Sequence, residues 1–243
     1  MGIALALVAS CAQAGEVLVA VASNFTAPMQ KIAAAFEAQT AHKAKLVLGS
    51  TGSFYTQILN GAPFELFLSA DEETVAKLEG EGLAVRGTRF TYATGKLVLW
   101  SANPDLVDAR GDVLGRDAFG KIAIANPRLA PYGRAAVETM QRLGVFSRLE
   151  PKLVQGENIG QAYQFIATGN ASLGFVALSQ VMADGRIAKG SAWVVPAALH
   201  APIRQDAVVL KAGAANRVAF ELANFLKSER ARGIIRAYGY QLQ

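Results

Sequence analysis

Apolar and polar positions along this chain switch between two periods. Val17 to Val21 is an unbroken apolar run, the pattern of a parallel strand buried on both faces. From Thr26 the period lengthens: Met29, Ile32, Ala33 and Phe36 recur at helical spacing, and Pro28 is tolerated in a first turn. Lys45 to Leu48 predicts the next strand, Phe54 to Asn60 a helix stopped by Gly61, and Glu65 to Ser69 a third strand. Asp71 is a good N-cap for a helix carrying Val75 and Leu78. This β-α-β-α-β-α order predicts an α/β fold, a parallel sheet covered by helices on both faces.

A second series begins at Gly95 to Trp100. Strands are predicted at Lys121 to Ala125, Lys152 to Val154, Leu173 to Val176, Ala192 to Val195 and Asp206 to Leu210. Helices are predicted over 133–143, 159–167, 216–227 and 229–238. Roughly ten strands strain a single open sheet, so the pattern predicts two α/β lobes.

The first fourteen residues stand apart. Met1 to Ala14 is apolar, ends in Ala12-Gln13-Ala14 and turns polar at Gly15 and Glu16, the pattern of a secretory leader and its cleavage site. Residues 1–14 are therefore read as the remnant of a signal peptide, with the true start expected upstream because no basic segment precedes the apolar one. It is too short to anchor in a bilayer, which takes about 20 residues. Cys11 is the one cysteine, so a chain cleaved after Ala14 carries no disulfide, thiolate metal site or cysteine nucleophile. A second reading takes Val8 to Cys11 as a lipoprotein processing site, with Cys11 lipidated as the first residue.

Composition narrows the function classes. The chain has 243 residues, 52% hydrophobic and 18% charged, which excludes a disordered or low-complexity protein. Net charge is 24 − 19 = +5, without a clustered Lys/Arg run, so nucleic acid is not an expected partner. No metalloprotease, phosphate-loop, nucleophile-elbow or paired-cysteine motif occurs. The two histidines, His42 and His200, are read as exposed loop residues, and Asp71, Glu72 and Glu73 as complements to a helix dipole. The thin catalytic inventory points to a binder rather than an enzyme.

What is enriched is small polar sequence where strands hand over to helices. Ser23 and Asn24 follow the first strand, and Gly49 to Ser53 the second. Pro127 to Gly133 and Gly156 to Gly160 occupy equivalent places later in the chain. Each junction presents unpaired backbone N–H groups at the positive end of a helix, beyond the carboxyl ends of strands, where anions bind. Taken singly, each is a weak signal and is read as a cap or tight turn, which needs the same residues. Four of them, two in each expected lobe, are a stronger signal.

At these residues the chain resembles a known family. Val21 to Thr26, Ser50-Thr51-Gly52 before Tyr55 to Ile58, Gly61-Ala62-Pro63 with Leu66 to Asp71, Asn126 to Gly133 and Leu173 to Val176 are similar to the periplasmic molybdate-binding (ModA) proteins. The similarity runs from about Glu16 to Leu242. It implies a two-lobed type II periplasmic binding protein fold with the ligand cleft between lobes. Lobe one would comprise 15–93 and 204–243, and lobe two 94–203. It also implies an exported, periplasmic, monomeric receptor that captures molybdate and tungstate for the membrane permease of an ABC importer, with no catalytic role and no cofactor.

Carried over residue by residue, the resemblance implies oxyanion contacts at Asn24 with Ser23 beside it, Thr51 with Ser50 beside it, Tyr132 and the main-chain N–H of Ile159. None touches the metal itself. A tyrosine used by some members corresponds to Ala177, so the missing hydroxyl is expected from Tyr132. The alternatives are a receptor for another tetrahedral anion or small solute, an α/β enzyme acting on an anionic substrate, and a ligand-sensing regulator domain. Intact-mass measurement of the exported protein is expected to give a chain starting at Gly15; retention of Met1 would contradict both readings of the leader.

Overall fold

The computed structural model describes residues 14–116, 118–183 and 185–242, so the predicted leader, Cys11 included, lies outside the described residues up to Ala14. The first stretch runs β1 (Glu16–Ala22), α1 (Thr26–Thr40), β2 (Lys43–Gly49), α2 (Thr51–Leu59), β3 (Leu66–Leu68), α3 (Glu73–Gly80) and β4 (Phe90–Gly95). The chain then enters a second body: β5 (Leu97–Ser101), β6 (Ile122–Ala125), α4 (Pro131–Arg142), α5 (Phe146–Leu149), β7 (Leu153–Gly156), α6 (Ile159–Ala167), β8 (Leu173–Ala177), α7 (Leu178–Val181), the hairpin strands β9 (Met182–Ala183) and β10 (Arg186–Ile187), and β11 (Ser191–Val194). It returns through β12 (Ile203–Val209), followed by α8 (Arg217–Phe225) and α9 (Glu229–Ala237).

These elements make two five-stranded sheets, ordered β2-β1-β3-β12-β4 and β11-β5-β8-β6-β7. The apolar run at Val17 to Val21 is explained by burial on both faces of the first sheet. Val17, Val19 and Val21 pack with Met29, Phe36 and Leu222, whereas Ala20 packs with Phe54, Phe67 and Leu78 on the opposite face. Ile122, Ile124 and Ala123 divide in the same way in the second sheet. The sheets are α/β and helix-covered, but mixed rather than parallel. β12 runs antiparallel to β3 and β4, and β5 runs antiparallel to β8 and β11. The strand β4 is absent from the sequence reading because Thr91 and Thr94 interrupt its apolar pattern; its burial comes from pairing with β12.

Local chemistry fixes where the helices start. Ser50, Asn158, Asn216 and Ser228 each accept a backbone N–H through the side chain at the caps of α2, α6, α8 and α9. Asp71 accepts the N–H of Thr74 at 2.9 Å, two residues ahead of the first helical residue of α3. α4 starts at Pro131, two residues earlier than expected, because proline suits the first turn.

Two glycines separate conformational from steric need. Gly61 has φ 81° with open space around its missing side chain, whereas Gly190 has φ 74° and a side chain there would strike the Ser101 carbonyl. Gly61→Ala is expected to cost about 1–2 kcal/mol for the left-handed backbone alone. Gly190→Ala should cost about 1–3 kcal/mol more, and differential scanning should show Tm falling about 2–4 °C per kcal/mol. Equal losses at the two positions would contradict the steric assignment.

Candidate functional site

Four strand-to-helix junctions converge between the two sheets. β1 leads into Ser23 and Asn24, β2 into Ser50 and Thr51 at the head of α2, β6 into α4 with Tyr132, and β7 into α6 with Ile159. The structure brings all six of these residues to the wall of one small cavity of about 10 Å³. All six are buried, and among the described residues no charged side chain lines the cavity.

The hydroxyls are arranged to donate. Ser23 Oγ accepts the N–H of Gly160 at 3.2 Å, Ser50 Oγ accepts that of Ser53 at 3.4 Å, and Thr51 Oγ1 accepts that of Ala70 at 2.9 Å. With each oxygen used as an acceptor, its own O–H is left to donate. Thr51, Tyr132 and Ile159 lie in the first turns of α2, α4 and α6, where a backbone N–H has no acceptor in its own helix. The positive ends of three helices add to this set. The hydroxyls and first-turn N–H groups of this arrangement are suited to an anion. Among the described residues no group of three or more His, Cys, Asp or Glu is placed to hold a metal ion.

The lobes are in contact around the cavity. Gly52 donates its N–H to the Leu129 carbonyl at 2.8 Å, and Gly160 reaches Ser23 across the same boundary. At the rim, Arg134 of α4 pairs with Asp71 and Glu73, both at 3.2 Å. Arg204 of β12 pairs with Glu72 at 2.8 Å. The acidic triplet Asp71, Glu72 and Glu73 is therefore engaged with arginines, a role the helix dipole alone did not predict.

Three expectations need correction. The Tyr132 hydroxyl does not face the cavity as a donor. It accepts a hydrogen bond from Gln205 Nε2 at 3.1 Å and lies against Gly95, because a fully buried phenol needs a partner and finds it at the crossover. What Tyr132 offers the cavity is its first-turn N–H. His200 is buried rather than exposed, with Nδ1 2.7 Å from the Ala201 carbonyl. His42 is half-buried; its Nδ1 accepts the Gly15 N–H at 2.9 Å and its Nε2 sits 3.2 Å from Glu221. Neither histidine lines the cavity.

Sequence reasoning missed the polar layer behind the cavity: Gln205, Tyr92, Tyr240 and Ser179. The available signal was Gln205-Asp206, two polar residues inside a buried strand. Asp206 is held by Arg89 at 2.5 Å and Thr91 at 2.7 Å. Burial raises the phenol of Tyr240 to about 12 and those of Tyr92 and Tyr132 well above the ordinary value. In the unfolded chain these phenols ionise near pH 10. As pH rises past that point the unfolded state loses protons first, so the stability these groups contribute is intact below about pH 10 and lost above it. Denaturant midpoints measured from neutral pH upward should be level to that point and then fall, less steeply in Tyr240→Phe.

A model of the bacterial extracellular solute-binding protein family matches residues 17–241. The molybdate-binding protein ModA of Azotobacter vinelandii is 57% identical over 237 residues, covering 98% of this chain and 94% of that one. ModA of Rhodobacter capsulatus is 55% identical over 240 residues, covering 99% and 92%. The solved structure of an Azotobacter vinelandii periplasmic molybdate-binding protein superposes with a TM-score of 0.91 at 43% identity, over 93% of this chain and 99% of that one. The two helix-covered sheets and the cleft between them are thus a two-lobed periplasmic binding protein fold, and the chain belongs to the bacterial extracellular solute-binding proteins, in their ModA family.

Proposed function

We propose that this chain captures molybdate, and tungstate as a second ligand, in the cavity between its lobes and delivers it to the membrane permease of an ABC importer. It is a binding protein, not an enzyme, and it works in the periplasm. The observation that carries the reading is the cage of uncharged donors from four junctions in a chain 57% identical to a molybdate-binding ModA. Ser23, Ser50 and Thr51 would donate hydroxyl protons, Asn24 its side-chain amide, and Tyr132 and Ile159 their backbone N–H groups. No cofactor is required, and one copy of the chain is sufficient because both lobes come from the same polypeptide.

Neutral donors suit a receptor that must also release its ligand. A lysine or arginine in the cavity would be left buried and unpaired when the ion departs, at a cost of several kcal/mol. Hydrogen bonds to a charged group contribute about 1.5–3 kcal/mol each without that penalty. Selectivity follows from the fixed span of the donors. Molybdate and tungstate are close in size and larger than sulfate, so a ring that reaches the larger ions falls short on the smaller one. Phosphate keeps a proton at neutral pH and would set a donor against donors.

Calorimetry with an oxyanion panel tests the reading. Molybdate and tungstate are expected to bind with sulfate and phosphate weaker by orders of magnitude; sulfate binding as tight as molybdate would make this a general tetrahedral-anion receptor. Asn24→Ala and Thr51→Ala should each weaken molybdate roughly ten- to hundredfold while leaving the protein folded. Unchanged affinity in both would place the ion elsewhere.

A further inference from the structure

Directly behind the cavity a closed circuit of buried side chains joins the two lobes. Asn24 donates both amide protons away from the cavity, to Gln205 Oε1 at 2.8 Å and to Tyr240 Oη at 2.9 Å. Gln205 Oε1 also accepts from Tyr92 at 2.9 Å, and Gln205 Nε2 donates to Tyr132 of α4 at 3.1 Å. Ser179 donates to the Asn24 carbonyl at 2.7 Å. One atom is left out: Asn24 Oδ1 is buried with no hydrogen-bond partner. A buried acceptor without a donor costs about as much as a lost hydrogen bond. It is also the wrong group to offer an anion, since an amide oxygen repels negative charge.

Both defects vanish if the two amides turn over together. A half-turn of the terminal torsion in Asn24 and in Gln205 exchanges oxygen and nitrogen without moving the backbone. Gln205 Nε2 then donates to Asn24 Oδ1 and to Tyr92 Oη, whose own proton goes to the Ser69 carbonyl, 3.0 Å away. Tyr240 donates to Asn24 Oδ1, and Tyr132 donates to Gln205 Oε1. Every acceptor is now used, and Asn24 Nδ2 occupies the position that Oδ1 had left unsatisfied. Neither amide can turn alone, because two oxygens or two nitrogens would then face each other across 2.8 Å.

We propose that Gln205 is a positioning residue for the anion: its amide, held by Tyr92 and Tyr132, fixes the paired orientation in which Asn24 presents Nδ2 rather than Oδ1 to the cavity. Gln205 is fully buried and sits at the register shift of β12, on the strand by which the chain returns from the second lobe. Its partners Asn24 and Tyr92 belong to the first body and Tyr132 to the second, so the orientation that binds the ion is completed only when the lobes are together. This inference rests on the reading of Asn24 as an oxyanion contact.

The test is a double-mutant cycle on the full chain, titrated with molybdate by calorimetry, using wild type, Gln205→Met, Asn24→Ala and the double variant. Gln205→Met is expected to weaken molybdate about tenfold or more, yet to add less than about threefold once Asn24 is already alanine. Equal losses in both backgrounds, or a wild-type Kd in Gln205→Met, would overturn the proposal. A measure that needs no variant is the pair of side-chain amide resonances. Saturating molybdate should shift those of Asn24 and Gln205 together, and a shift confined to Asn24 would overturn it. Failure of the functional reading is distinguishable: the wild type would then bind no oxyanion, and the role of Gln205 would fall with it.

Discussion

A backbone N–H in the first turn of a helix cannot be satisfied within that helix, and in this protein three such turns are aimed at one point. Those of α2, α4 and α6 belong to different sheets, so satisfying them together requires the two lobes to meet. The hydroxyls of Ser23, Ser50 and Thr51 follow the same logic. Each is held as an acceptor by a backbone N–H and left with its own proton to give. In the function proposed above, a dianion would supply the missing acceptors at once. Recognition would then be a property of chain geometry, with the charge of the ligand met by many partial charges rather than by one whole one.

How much of this could be read from the sequence depended on the range of the interaction. The unbroken apolar run at Val17 to Val21 announced a strand buried on both faces, and the helix positions followed from local periodicity and capping. The small polar residues at Ser23, Ser50 and Thr51 stood out because turn chemistry is encoded within a few residues. Illegible were features created by distant pairing. β4 became a strand through β12, which lies more than a hundred residues later, and the mixed direction of both sheets has the same origin. The Tyr132 hydroxyl was misassigned for a related reason. Its partner Gln205 is 73 residues away, and nothing near Tyr132 in sequence indicates which way its ring turns.

The layer behind the cavity shows why a binding site needs a second rank of residues. Asn24, Tyr92, Tyr132, Ser179, Gln205 and Tyr240 bury many polar atoms, an expensive choice unless nearly all are paired. An apolar packing of the same volume would cost less and specify less. In exchange the network fixes side chains that line the cavity and links segments that approach the cleft from both lobes. The ion pairs of Arg134 and Arg204 at the rim contribute differently. They are half exposed and contribute little stability; that of Arg134 spans the two bodies, and that of Arg204 with Glu72 lies within the first.

The insertion of β12 between β3 and β4 has a consequence for how the molecule comes into being. Until residues near 209 have been made, the first sheet lacks an interior strand, and β3 and β4 have no neighbour to join them. The amino-terminal third of the polypeptide therefore cannot reach its native arrangement as it leaves the ribosome, and must wait for almost all of the remainder. Such late closure slows folding. The order of the strands thus keeps the first lobe open until nearly the whole polypeptide is available to close it.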